Sequence, residues 1–176
     1  DLTRLITTMF GFSLLQVSKG LRLVSLATLV AGAGTTMAQS LPCAYVGDSI
    51  ALGAGAFQPQ KAVKKCPVFA KNGITARRWL GLYSTGIQAE KVLLSMGSND
   101  YGANVTREIT AMRKSINARE VIWIAPGPQF AANRASVVQV ANTFGDKVYE
   151  RPDDEVGPDN VHFTRRGYSR IAQVLH

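Results

Sequence analysis

Histidine is scarce in this chain of 176 residues: there are two, and one of them, His176, is the last residue. Chain ends fray, so a reaction that needs an imidazole base has to use His162. Cysteine is equally scarce, at two residues. Without a His-Glu-x-x-His pattern or a closely spaced cysteine pair, the sequence offers no ligand set for a metal. A phosphate loop is missing too, because Gly53 and Gly55 lack the Lys-Ser/Thr that must follow. There is no Gly-x-Ser-x-Gly elbow, which argues against the α/β-hydrolase fold. No cofactor is implied by what remains.

A single long run of charge is also lacking. The net charge is +8, from 20 Lys and Arg against 12 Asp and Glu. The cations come as scattered pairs (Lys64-Lys65, Arg77-Arg78, Arg113-Lys114, Arg165-Arg166) with few aromatics between them. Nucleic-acid binding wants a basic stripe with stacking residues. The scatter reads instead as a solvated basic surface, with at most a weak attraction to an anionic envelope surface. A hydrophobic content of 46% and a charged content of 18% are those of a globular chain, and the length suits one domain.

Residues 1–39 differ from the rest: their only charges are Asp1, Arg4, Lys19 and Arg22, and they hold no His, Cys or Pro. From Lys19 a basic start leads into an apolar stretch at residues 23–31 and then into small residues ending Thr36-Met37-Ala38. That is the layout of a secretory signal peptide. The stretch is short of the roughly 20 apolar residues a membrane span needs. A second apolar stretch, residues 5–15, lies upstream, so an N-terminal anchor made from both is the alternative reading. Residues 40–176 form the expected domain, placed by this reading outside the cell or in a periplasm.

Within that domain short apolar runs alternate with helical spacings. Strands are expected near residues 44–46, 68–70, 91–96, 121–125 and 147–149. A helical or looped stretch follows Ser49. Further helices are expected over 75–83, 105–116 (with Ile109, Met112 and Ile116 on one face), 131–144 and 164–175, the last capped by Thr164. Alternating strands and helices predict an α/β fold, a parallel sheet covered on both faces. In such sheets ligands bind outside the carboxyl ends of the strands.

The strand ends carry the chemistry. After the first comes Gly47-Asp48-Ser49, after the second Asn72-Gly73, after the third Gly97-Ser98-Asn99-Asp100. A hydroxyl, a bare glycine amide and a side-chain amide supply a nucleophile and donors for an oxyanion. Asp159, three residues before His162, can reach the imidazole and set its tautomer. Each piece has a plainer reading: Ser49 as a helix N-cap, Gly73 as a turn residue, Asn99 or Asp100 as a cap for the helix that follows.

Taken in order, Gly47-Asp48-Ser49, Gly73, Gly97-x-Asn99-Asp100 and Asp159-x-x-His162 resemble the SGNH hydrolases, also called GDSL esterases and lipases. The resemblance spans nearly all of residues 44–176. It implies a three-layer α/β/α sandwich around a flavodoxin-like five-stranded parallel sheet of order 2-1-3-4-5. It implies Ser49 as nucleophile, His162 as base and Asp159 as the base's partner. The oxyanion donors would be the Ser49 N–H, the Gly73 N–H and the Asn99 side chain. Lys71 stands where many relatives have Asn, which sets the Gly73 block apart from theirs. In that sheet order the strands opened by Cys43 and Cys66 are neighbours, and a disulfide between them is feasible in an oxidising compartment; two free thiols in the core are the alternative. The activity implied is hydrolysis of carboxylic esters of short acyl groups on small-molecule, polysaccharide or lipid substrates. The alternatives are acyl transfer with the same residues or an inactive envelope-binding module.

Overall fold

The computed structural model describes residues 40–176, so the signal-peptide or anchor reading of residues 1–39 lies outside the described residues. Strands β1 (Leu41–Gly47), β2 (Val68–Ala70), β3 (Ile87–Ser95), β4 (Ile116–Ile124) and β5 (Lys147–Tyr149) make one sheet. All its pairings are parallel, and its order is β2-β1-β3-β4-β5. Between and after the strands run helices α1 (Ser49–Ala56), α2 (Ala76–Leu82), α3 (Val105–Lys114), α4 (Ala131–Phe144) and α5 (Arg165–Gln173).

Strand side chains alternate between faces, and both faces are buried here. Ala44, Val46, Val92, Leu94, Val121 and Trp123 point into one core with Trp79 of α2, Ile109 and Met112 of α3, and Val137 and Val140 of α4. Tyr45, Leu93, Ile122 and Ile124 point into the other with Ile50 and Ala54 of α1 and Tyr168 and Ile171 of α5. The result is three layers, helices on both sides of a parallel sheet. Two polar groups that enter the cores are tied by hydrogen bonds. The Tyr45 hydroxyl donates to the Ala172 carbonyl at 2.8 Å, and burial pushes its pKa up to about 12. Arg113 donates twice to Asp146, at 2.6 and 2.8 Å, and Trp123 Nε1 adds a third bond to the same carboxylate at 2.8 Å.

Cys43 and Cys66 are disulfide-bonded, with Cα atoms 5.0 Å apart and both residues buried. The bond ties the start of β1 to the chain just before β2, an edge strand of three residues. Several element bounds differ from the expected ones. Ile116 is buried, but as the first residue of β4, paired with Ile87, not as the end of a helix. Helix α3 stops at Lys114, and one residue separates it from β4. An apolar residue at that spot satisfies the helical period and the strand period alike. Strand β3 likewise starts four residues earlier than expected, because Ile87 and Ala89 are buried while Gln88 and Glu90 face solvent.

Register matters most at the carboxyl ends. Gly47 pairs with Ala70 and with Ser95, Ser95 with Ile124, and Ile124 with Tyr149. All five strands therefore end on one line, and the segments that follow them leave from a common edge.

Candidate active site

The first of those segments is the tightest. Gly47 has φ +130°, a backbone conformation that L side chains rarely adopt. A Cβ there would also run into the Ser95 carbonyl. The bare glycine lets β1 turn sharply against β3, with Asp48 N donating to the Ser95 carbonyl at 3.1 Å. Asp48, not Ser49, is the N-cap of α1: its Oδ1 accepts from Ile50 N at 3.0 Å and from Ser95 Oγ at 2.8 Å. Ser49 is the first helical residue, and the cap leaves its hydroxyl free for another partner.

That partner is His162. Ser49 Oγ lies 2.9 Å from His162 Nε2, and His162 Nδ1 lies 2.7 Å from Asp159 Oδ2. An ionised carboxylate can only accept. Nδ1 must therefore carry the proton, and Nε2 is left as the acceptor for the serine O–H. The other Asp159 oxygen accepts from the backbone N–H of His162 at 2.9 Å and of Val161 at 3.0 Å. The imidazole hydrogen bond first, and then these two N–H groups, hold the Asp159 carboxyl well below the usual carboxylate range. Both side chains are about half exposed, 43% for His162 and 51% for Asp159, so the pair lies at the surface.

Asn99 sits in the turn after β3. Its Nδ2 is buried without a hydrogen-bond partner in the protein. An unmade hydrogen bond of a buried donor is costly. Asp100 beside it does not cap the helix that follows. Its Oδ1 accepts from Ala76 N at 2.8 Å, at the start of α2, and its Oδ2 from Gly97 N at 3.0 Å. One carboxylate thus fastens the turn carrying Asn99 to the loop carrying Gly73. Asn133 of α4 completes the turn by donating to the Gly97 and Asp100 carbonyls, at 2.7 and 2.8 Å. Gly73 is exposed at φ +66°, with open space where a Cβ would be. The conformation, not crowding, favours glycine there.

Two buried carboxylates underlie the site. Asp48 is fully buried and Asp100 nearly so, and burial raises the pKa of both against the hydrogen bonds they accept. The structure therefore brings Ser49, His162 and Asp159 into one hydrogen-bonded line, and puts Gly73 and Asn99 on turns at the same sheet edge. The Asp48 cap, the Ser95 and Asn133 hydrogen bonds and the Asp100 bridge were not expected. Their partners lie 24 to 47 residues away, except within the caps and the Asp100–Gly97 bond, and no local pattern marks them. Among the described residues no group of His, Cys, Asp and Glu could hold a metal ion, and no helix is long and apolar enough to cross a membrane.

No protein-family model and no curated protein matches the chain. Solved structures do match in fold. The C-terminal catalytic domain of peptidoglycan O-acetyltransferase A from Streptococcus pneumoniae, with a methylsulfonyl adduct, superposes with a TM-score of 0.55 at 18% identity, covering 77% of this chain and 90% of that one. The inhibitor-bound aryl esterase of M. smegmatis gives 0.52 at 13% identity, covering 78% and 96%. The fold is that of the SGNH-type hydrolases.

Proposed function

We propose that this protein is a serine esterase that cleaves carboxylic esters through an acyl-Ser49 intermediate. One observation carries the reading: the unbroken line Ser49 Oγ–His162 Nε2, His162 Nδ1–Asp159 Oδ2, at 2.9 and 2.7 Å. In the first half-reaction Ser49 Oγ attacks the ester carbonyl carbon and its proton moves to His162 Nε2. The carbonyl oxygen becomes an oxyanion that accepts from Asn99 Nδ2, the Ser49 N–H and the Gly73 N–H. Collapse breaks the bond to the alkoxide, which leaves with the proton from His162. In the second half-reaction water attacks the acyl carbonyl, gives its proton to His162, and the carboxylic acid departs as Ser49 regains its proton. Asp159 stays ionised throughout and faces the imidazolium that forms in each half.

One feature supports hydrolysis over transfer to a sugar or lipid acceptor, and another bears on acyl size. The His162–Asp159 pair is half exposed, which gives water access to the acyl-enzyme. The domain is short, with few residues outside its layers to build a lid, which favours small acyl groups such as acetyl. The O-acetyltransferase among the structures of like fold keeps transfer as the second reading. The Cys43–Cys66 disulfide supports an oxidising compartment. It agrees with residues 1–39 as a secretory leader, the esterase domain of residues 40–176 acting outside the cell or in a periplasm. A fluorophosphonate should label Ser49 and p-nitrophenyl acetate should be hydrolysed, both lost in Ser49→Ala. Labelling of another serine would sink the assignment.

A further inference from the structure

The Asp159–His162 turn is held from outside itself. Within the turn, Asn160 N donates to the Gly157 carbonyl at 3.0 Å and Gly157 N to the His162 carbonyl at 2.7 Å. Asn160, between the two functional residues, has φ +57°, unusual for a residue with a side chain. On one side the turn meets a recess of about 410 Å³ lined by Pro128, Gln129, Arg151, Asp153, Val156 and Asn160.

Two donors cross that gap. Gln129 Nε2 donates to the Asn160 carbonyl at 2.6 Å, and Arg151 donates to the same oxygen at 3.2 Å. The Arg151 guanidinium lies over the ring of Phe163, 4.9 Å from its centroid, and Phe163 is the residue after His162. One arginine thus grips the turn before and after the imidazole. Its Nε and one terminal nitrogen are buried without partners, so its place is not explained by a local ion pair. Burial works against its charge, while the Asp159 and Asp48 carboxylates favour it. Arg134 donates to the Pro126 carbonyl and pairs with Glu150, one residue before Arg151.

We propose that Arg151 and Gln129 are positioning residues for the triad, clamping the Asn160 carbonyl so that His162 Nε2 stays within reach of Ser49 Oγ. The proposal rests on the esterase reading for its kinetic effect, though not for its structural one. A small misplacement of a reacting group costs up to about 100-fold in rate. Arg151→Met keeps much of the bulk over Phe163 and removes the donors. It should lower kcat on p-nitrophenyl acetate by roughly 10- to 100-fold, with KM within about twofold, because the ground-state contacts of substrate are untouched. Arg151→Lys should recover part of the loss, since an ammonium is a donor without the planar fork. The downfield proton resonance of the His162–Asp159 hydrogen bond should broaden in Arg151→Met and sharpen again in Arg151→Lys.

Full kcat in Arg151→Met, or a loss confined to KM, overturns the proposal. If Arg151→Met does not fold, Gln129→Ala decides, because Gln129 is exposed. A fall in kcat with a broadened resonance supports the clamp, and an unchanged kcat and resonance refutes it. Failure of the esterase reading is separate: there, Ser49 is not labelled even in the wild type. The resonance of the His162–Asp159 bond still reports on the clamp in that event.

Discussion

Replacing Asp159 with Asn is the sharpest test of the triad, because the change is nearly isosteric and its effect follows from three hydrogen bonds. Asp159 Oδ1 accepts from two backbone N–H groups, those of Val161 and His162. Its Oδ2 accepts from His162 Nδ1. An Asn side chain has one acceptor oxygen and one NH2 group. If the oxygen keeps the two backbone donors, the NH2 faces Nδ1. The ring must then carry its proton on Nε2, pointing at Ser49 Oγ, and cannot accept the serine proton. If the amide flips, its NH2 meets two backbone donors and both bonds are lost. Either way the productive state is a minor one. Fixing the wrong tautomer in a buried triad costs on the order of 10⁴ in rate. Here the pair is half exposed and water can replace some of the lost bonds. The expected loss in kcat/KM is therefore roughly 10²–10³. The assay is hydrolysis of p-nitrophenyl acetate by Asp159→Asn and Asp159→Ala side by side, with circular dichroism to confirm folding. Asn should be no better than Ala despite its closer shape. Retention of more than a tenth of wild-type kcat/KM by the Asn variant would refute the tautomer argument.

Two further outcomes follow from atoms already placed. Asn99→Ala removes a buried, unpartnered donor and should lower kcat by on the order of 10²–10³ with KM little changed, measured by steady-state kinetics; full kcat would take Asn99 out of the oxyanion site. Asp48 is raised by burial, so its folded form binds a proton more tightly than its unfolded form. Its contribution therefore favours folding in acid and is lost as the pH climbs above the unfolded carboxylate value, about 3.9. Asp48→Asn keeps an acceptor for Ile50 N and Ser95 Oγ and lacks the ionisation. Its thermal midpoint, followed by calorimetry across the acid to neutral range, should gain on the wild type as pH rises; a constant difference between the two would contradict a raised Asp48.

Much of this molecule is decided by local pattern. Short continuous apolar runs between helical spacings specify a parallel sheet covered on both faces, because each strand must bury both sides. That in turn places the residues after each strand on a common edge, which is why Ser49, Gly73 and Asn99 were legible as one group. Asp159 and His162 were legible as a pair because three residues of turn suffice to bring a carboxylate to an imidazole, and as part of the site only through their place in the order of blocks that resembles the SGNH hydrolases. The sequence by itself does not distinguish Ile116 as a helix residue from Ile116 as a strand residue, since both bury it; pairing with Ile87 settles that. Nor does it show that Asp100 accepts from the first N–H of α2 and not from α3, or that Asn133, Gln129 and Arg151 hold the turns that carry Asn99 and His162. Those bonds span 9 to 36 residues, and their donors and acceptors look like ordinary surface polarity until the sheet register brings them together. Local spacing and the resemblance in motif order nominated the candidate groups. Only the tertiary structure, through aligned strand ends and long-range hydrogen bonds, decided how firmly each is held and which neighbours hold it.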